Sequence, residues 1–325
     1  MSDRSEVPPP DPAKGKREAM RFLFSLAMFL VIAAVALWQS RTHTSPLPIR
    51  FIRAQDQLQH GKEADARKEF DTALAVRPDD PVAFMNVLET CVLAKSYKLA
   101  IEYGERAVKI CDHQPAEDQA NLWRTLAEVY TFVEQTPHQE RAIHAAERAH
   151  QLAPDDNIVA NTYGYLLADN AAGPGPQIDT AITVLKKALV GLKTAPKNVI
   201  EVTEGPRLIA MTEDSYGWAL YKNGQYADAI TTLCSVIADY PQKTEPDVLK
   251  VTYYHMGMAF AAAGETAQAR NAFSNAIFCD PQYAEAISGR AALDVKPGNP
   301  QLAPNTDRGS VSTPPLGTIP TNKKN

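Results

Sequence analysis

Apolar residues recur every three or four positions through the middle of the chain, a spacing that predicts amphipathic α-helices. The clearest stretch, residues 253–281, reads YYHMGMAFAAAGETAQARNAFSNAIFCDP. There Gly257 in one predicted helix is followed in the next by Ala269, Phe273, Ala276 and Pro281. The two alanines share a helical face and let a neighbouring helix approach closely, while the large side chain fills the gap between them. The proline ends the helix, because it lacks an N–H and restricts the residue before it.

The same unit occurs six times between residues 47 and 295. The first alanine of each second helix lies at positions 66, 100, 142, 181, 229 and 269, at intervals of about 34 to 48 residues. Six helix pairs, each in contact only with its neighbours, predict an all-α repeat array. Residues 171–177 are expected to lengthen one hairpin, and residues 195–211 to lengthen one link between repeats.

This pattern resembles the tetratricopeptide repeat (TPR) family. One unit is similar to the family's W-x2-L-G-x2-Y motif, with Trp123, Leu126 and Tyr130 in place and Ala127 where the family has glycine. The resemblance covers residues 47–295. It implies a right-handed superhelix of about six helix-turn-helix repeats, which would present an extended concave groove rather than one enclosed pocket.

In TPR proteins, the fifth and ninth positions of the first helix of each repeat point into the groove. Carried over to this chain, the resemblance implies a partner-binding groove formed by eight residues: Arg124, Glu128, Asn161, Tyr165, Asp214, Trp218, Tyr254 and Met258. Trp218 and Tyr254 could equally pack between adjacent first helices, and the sequence leaves both alternatives open. The family's clamp for carboxylates needs Lys and Asn at these positions. Only Asn161 fits and Asp214 would repel a carboxylate, so we expect no capture of an acidic C-terminal peptide.

Three segments flank the repeats. Residues 22–40 carry no charge and, as a helix, would rise roughly 28 Å, so they predict one transmembrane helix that acts as a signal anchor. The alternative is a cleaved signal peptide. Residues 1–21 and 296–325 are rich in proline and predict disordered tails. Residues 282–293 would make the polar-faced capping helix that a solenoid needs.

Composition and motifs exclude several classes of function. The chain has 325 residues and a formal net charge of −5, which gives no basic footprint for nucleic acid. Its four cysteines cannot build a disulfide scaffold, and Cys91 and Cys234 are expected to be buried on apolar helical faces. We find no catalytic motif and no spacing typical of a metal site, so we predict no enzyme activity, no cofactor and no metal. The acidic pairs at 79–80 and 155–156 are expected to cap the helices that follow.

The sequence thus predicts a membrane-anchored TPR scaffold that holds a protein or peptide in its concave groove and contacts the bilayer through residues 22–40. We expect a single-pass protein of a bacterial inner membrane, with its array outside the cytoplasm and a role in organising the envelope. The alternative is a cytosol-facing protein, similar to an import receptor, that binds helical targeting peptides. A third possibility, an enzyme with its site in residues 195–211, lacks any nucleophile paired with a base. The oligomeric state stays open.

Overall fold

The computed structural model describes residues 47–133, 136–194, 199–239 and 246–294. These residues form thirteen α-helices and no strand, which confirms the predicted all-α class. The helices are α1 (Leu47–Gln59), α2 (Glu63–Val76), α3 (Pro81–Leu93), α4 (Tyr97–Ile110), α5 (Ala116–Thr131), α6 (Thr136–Leu152), α7 (Asn157–Asn170), α8 (Pro176–Thr194), α9 (Val199–Lys222), α10 (Tyr226–Asp239), α11 (Pro246–Ala262), α12 (Thr266–Cys279) and α13 (Ala284–Ala292).

The chain divides into two compact units after Ala73. Within the first unit, the guanidinium of Arg50 lies 2.7 Å from the Glu69 carboxylate. The rings of Phe51 and Phe70 lie 6.4 Å apart. Helix α1 is therefore joined to α2 by one ion pair and one aromatic contact.

In the second unit, each helix packs against the next as an antiparallel hairpin or link of the kind that the repeats predict. Helices α3, α5, α7, α9, α11 and α13, which we call the first helices, also pack directly against one another in that order. No comparable packing joins α4, α6, α8, α10 and α12 to one another in the described part of the chain. The first helices of this unit therefore form one continuous face.

Glycine sets the close approach of the two helices within a pair. A methyl group built on Gly257 of α11 would lie 2.5 Å from the Phe273 ring of α12, and one on Gly217 of α9 would lie 2.7 Å from Leu233 of α10. Both distances are shorter than any real carbon–carbon contact. The absence of a side chain at these two glycines therefore lets the second helix of each pair approach the first.

Aspartates cap two of the first helices, as the sequence predicts. One carboxylate oxygen of Asp80 accepts hydrogen bonds from the backbone of α3, from the N–H of Val82 at 3.0 Å and of Ala83 at 3.4 Å. Asp156 caps α7 in the same way. A carboxylate at this position satisfies N–H groups that the helix itself leaves unpaired.

Much of the stretch predicted to lengthen one link between repeats is helical. Helix α9 begins at Val199 and continues for 24 residues with Pro206 inside it, while residues 195–198 lie outside the described residues. The hairpin at 171–177 is lengthened, since α7 ends at Asn170 and α8 begins at Pro176.

The predicted localisation also needs correction. Within the described residues, no helix combines the length and the apolar character that a bilayer span requires. The prediction of a single-pass membrane protein with its array outside the cytoplasm is contradicted by this finding. Residues 22–40, on which it was based, and the tails predicted at 1–21 and 296–325 lie outside the described residues.

Two of the four cysteines are buried, and none of the four forms a disulfide bond in the described structure. Cys91 and Cys111 are fully enclosed, and burial, reinforced by the charge of Asp79, raises the pKa of the Cys111 thiol to about 11. Cys234 is exposed, so the expectation that it is buried is wrong. Residue 234 lies on the outer surface of α10, one position beyond the buried Leu233.

We expect Gly257→Ala to lower the free energy of unfolding by about 1–3 kcal/mol, because the new methyl group would overlap the Phe273 ring. That ring cannot move aside easily, since Gly289 also packs closely against it: a methyl group built there would lie only 2.7 Å from Cε1 of the same ring. Urea denaturation followed by circular dichroism measures the change. Gly173→Ala is the control, because no atom lies within 4 Å of a methyl group built there. Equal stability of the two variants would contradict the packing role.

The cysteines should differ sharply in their reactivity with iodoacetamide at pH 8. The thiolate is the reactive form, so a buried thiol with a pKa of about 11 reacts slowly. We expect Cys234 to be alkylated in the folded protein, and Cys91 and Cys111 only after unfolding in urea. Peptide mass spectrometry follows each site, and Cys234→Ser should remove the fast reaction. Alkylation of Cys111 as fast as Cys234 would refute its burial.

Candidate partner-binding site

The eight residues predicted to line a groove lie on four successive first helices. Each helix contributes two of them, four positions apart and thus on one face: Arg124 and Glu128 on α5, Asn161 and Tyr165 on α7, Asp214 and Trp218 on α9, Tyr254 and Met258 on α11. These helices pack on one another, so the structure brings the residues of α7, α9 and α11 into one cluster. Those of α5 form a separate contact beside it.

On α5, Arg124 and Glu128 are paired with each other. The guanidinium Nη1 lies 2.6 Å from the Glu128 carboxylate, and both side chains are largely buried. Thr162 of α7 donates a hydrogen bond of 3.4 Å to the same carboxylate oxygen. The Nε of Arg124 is buried and has no hydrogen-bond partner. The charges of Arg124 and Glu128 therefore neutralise each other, while the Nε–H of Arg124 has no acceptor among the described residues.

Trp218 lies at the centre of an aromatic stack. Its indole stacks on the His255 ring at 4.2 Å and on the Tyr221 ring at 4.8 Å, and only 6% of the residue is exposed. Tyr254 is half-buried, 6.3 Å from Trp218 and in an edge contact with Tyr283 at 5.7 Å. Of the two alternatives left open by the sequence, the structure places Trp218 in the packing between first helices. Tyr254 lies at the edge of the stack, where part of its ring meets solvent.

Two carboxylates hold this stack by hydrogen bonds. Nδ1 of His255 lies 3.0 Å from Oδ2 of Asp214, and both side chains are almost completely buried. The indole N–H of Trp218 donates to Oδ1 of Asp169 at 3.3 Å. The four side chains Asp214, His255, Trp218 and Asp169 thus form one connected chain across α7, α9 and α11.

Several buried polar atoms in the cluster have no hydrogen-bond partner among the described residues. They are Oδ1 of Asn161, the hydroxyl of Tyr165, Oδ1 of Asp214 and the hydroxyl of Tyr283. Burial raises the pKa of the Tyr165 hydroxyl well above its ordinary value, and the charges of Asp169, Tyr283 and Asp214 raise it further. Because a buried polar atom without a hydrogen bond costs free energy, a patch that holds four of them is an exception that calls for an explanation.

Three residues of the cluster were missed by the sequence analysis: Asp169, His255 and Tyr283. Asp169 could have been found, because it follows Tyr165 by four positions and so lies on the same face of α7. His255 directly follows Tyr254, so it does not have the four-residue spacing by which the groove residues were placed. Tyr283 lies outside the six repeats, at the start of α13.

An open pocket of about 450 Å³ lies elsewhere, between α4, α5 and α6. Its polar groups are paired with each other: Glu105 accepts a hydrogen bond from Arg141 and one of 3.2 Å from the Tyr130 hydroxyl. The guanidinium of Arg141 also lies 4.6 Å from the centre of the Tyr130 ring. No predicted site residue lines this pocket, and its satisfied groups do not call for a ligand.

The described residues contain no group of three or more His, Cys, Asp or Glu side chains placed to hold a metal ion. A hydrogen-bonded Asp–His pair such as Asp214–His255 also occurs in nucleophilic triads. However, His255 is only 1% exposed and lies beneath Trp218, so its ring cannot reach a substrate.

We expect His255→Phe to lower the free energy of unfolding by about 1.5–3 kcal/mol. The new ring can still stack on Trp218, but Oδ2 of the buried Asp214 carboxylate would lose its bond to His255, and Oδ1 has no partner among the described residues to begin with. Chemical denaturation followed by circular dichroism measures the loss. His144→Phe is the matched control, because His144 is exposed on α6. A change within 0.5 kcal/mol of that control would show that the bond to Asp214 contributes nothing.

Comparison with known families finds the same repeat in two parts of the chain. A tetratricopeptide repeat profile matches residues 53–115, and a second tetratricopeptide repeat profile matches residues 215–243. A search of curated proteins finds no match. The family resemblance inferred from the sequence is therefore confirmed for these repeats.

Solved structures share the fold at low sequence identity. A chain of the APC/C hetero-tetramer Cut9-Hcn1 is 14% identical with a TM-score of 0.53; the match covers 81% of this chain and 45% of that one. A tetratricopeptide repeat protein from Parabacteroides merdae ATCC 43184 is 13% identical with a TM-score of 0.50, covering 76% and 85%. A human IFIT1 dimer with m7Gppp-AAAA is 14% identical with a TM-score of 0.50, covering 88% and 64%.

The chain spans less than half of the Cut9-Hcn1 chain that it matches, so the likeness extends to the fold alone. Together, the profiles, the glycine-mediated helix pairs and these structures show that the chain contains tetratricopeptide repeats arranged in an α-helical array.

Proposed function

We propose that this chain is a non-catalytic scaffold that holds a segment of a partner protein against the face of its first helices. One observation carries the proposal. Buried polar atoms without a protein partner lie on three successive first helices, at Arg124 of α5, at Asn161 and Tyr165 of α7 and at Asp214 of α9. These unpaired atoms therefore extend across the face of three neighbouring first helices and are not confined to one helix.

A peptide is the kind of ligand that suits such a path. It supplies backbone donors and acceptors at regular intervals, together with side chains that fill the spaces between helices. Aromatic groups such as Tyr254 and the flexible Met258 at the edge of the cluster are typical of protein–protein contacts. TPR repeats themselves suggest an interaction scaffold, which supports the same conclusion.

The chemistry of the face argues against two other roles. An enzyme would need a reactive group that substrate can reach, whereas the imidazole that pairs with a carboxylate on this face, His255, is enclosed by aromatic rings. A clamp for an acidic C-terminal peptide would need positive charge, whereas the central position on α9 is Asp214. The prediction that such peptides are not captured therefore stands as part of this proposal.

Selection from a library of random twelve-residue peptides displayed on phage tests the function directly. We expect the immobilised full-length chain to enrich specific peptides, because the unpaired groups of the face gain partners on binding. Synthetic copies of these peptides, titrated by fluorescence anisotropy, give the affinities. Failure to enrich any peptide above the level of a blank surface would count against the scaffold.

A pair of matched variants locates the site. Asn161→Arg places a long side chain on the face of α7 and should weaken the selected peptides at least tenfold. Asn275→Arg makes the same change at an exposed position of α12, outside the first helices, and should leave binding unchanged. Circular dichroism verifies that both variants are folded. Equal binding by the two variants would place the peptide on some other surface.

A further inference from the structure

A cluster on α7, on α9 and at the start of α13 contains polar atoms without a hydrogen-bond partner in the described part of the chain. We call it the Asp214 cluster; its members are Asp214, Asp169 and the hydroxyls of Tyr165 and Tyr283. Asp214, Tyr165 and Tyr283 are each more than nine-tenths buried, and each carries a polar atom without a hydrogen-bond partner. Asp169 is only half-buried and lies at the rim.

The two carboxylates are connected through aromatic side chains. Asp214 bonds His255, which stacks on Trp218, which in turn donates to Asp169. The charges of Asp169 and Asp214 both raise the pKa of the Tyr165 hydroxyl and that of the Tyr283 hydroxyl. The two carboxylates therefore belong to one continuous set of contacts between α7, α9 and α11.

The negative charge of the cluster determines which charge its ligand must carry. A carboxylate oxygen accepts hydrogen bonds and cannot donate them, so Oδ1 of Asp214 requires a donor. Two carboxylates within one small buried region repel an anion and attract a cation, and a charged donor makes the stronger hydrogen bond. The rings of Trp218 and Tyr254 add faces that also attract cations.

Two lysines of the protein already place cations against the aromatic rings at the rim of the cluster. Nζ of Lys222 donates to the backbone oxygen of Asp169 at 3.4 Å and lies 5.7 Å from the Trp218 ring. Nζ of Lys250 pairs with Asp280 at 3.0 Å and lies 5.6 Å from the Tyr283 ring. Oδ1 of Asp214 nevertheless remains without a partner.

We infer that the Asp214 cluster is the receptor for one cationic side chain of the bound segment, a guanidinium or a primary ammonium group. The cation enters past Asp169 and Tyr254, and donates to Oδ1 of Asp214. This inference rests on the proposed function, since it specifies the chemistry of the segment that the first helices hold. The scaffold then selects basic segments of its partners.

Three synthetic peptides test the inference against the full-length chain. The first alternates alanine and arginine over twelve residues and carries fluorescein. The second has citrulline, which is uncharged and nearly the same shape, in place of every arginine. The third has glutamate there. We expect fluorescence anisotropy at physiological ionic strength to show at least tenfold tighter binding of the arginine peptide than of the citrulline peptide, and no binding of the glutamate peptide.

The variant Asp214→Asn distinguishes binding at a specific site from general electrostatic attraction between the acidic chain and a basic peptide. The asparagine keeps the size of the side chain and removes its charge, so the arginine peptide should fall to the affinity of the citrulline peptide. Asp228→Asn removes the same charge from an exposed position on α10 and should leave the preference for arginine intact. Thermal unfolding verifies that both variants are folded.

The outcomes distinguish the two proposals. Equal binding of the arginine and citrulline peptides, or a preference for arginine that survives Asp214→Asn, overturns the cation receptor. The same holds if none of the three peptides binds while phage-selected peptides do, and in each of these cases the scaffold stands. If phage selection also yields no peptide, the proposed function fails together with the inference.

Discussion

Contact between a large side chain and a glycine of the neighbouring helix determines how the helix pairs of this protein are built. Leu185 lies against Gly164, Leu233 against Gly217 and Phe273 against Gly257, each too close for even a methyl group. Glycine costs helix stability of about 1 kcal/mol relative to alanine, so its repeated use inside helices needs a compensating gain. That gain is the approach of the two helices, which lets a buried leucine or phenylalanine fill the space between them.

The close pairing of helices within each hairpin also determines the structure of the face on which the candidate site lies. Each first helix is held against its own partner and also against the next first helix, so side chains from α7, α9 and α11 are pressed together. At this crowded position the protein has placed Asp214, His255 and Trp218 rather than leucine. Buried polar groups stabilise less than apolar ones of the same size unless each is paired, and here several are not. A stability cost of this kind is typical of a functional surface.

The sequence analysis located the repeats well and the site only in part. Repeats could be predicted because alanine, glycine and proline recur at helical spacing, and each acts through local geometry that does not depend on distant residues. The eight groove residues could be placed on the first helices for the same reason. What each of them contacts could not be predicted: Arg124 pairs with Glu128, and Trp218 is enclosed by His255 and Tyr221. Asp169 and Tyr283 were missed, because they join the cluster only through packing between repeats.

By itself, the amino-acid sequence determined the helices, their order and their pairing, because helical periodicity, the Asp caps and the glycine contacts act within a few residues or between adjacent helices. Only the tertiary structure decided that residues 199–222 form one helix, that Cys234 is exposed, and that Asp214 and Asp169 are connected through His255 and Trp218. The physical reason is that burial and the pairing of polar groups depend on which side chains meet between successive repeats. That depends on the packing of whole helices, and no spacing along the chain encodes it directly.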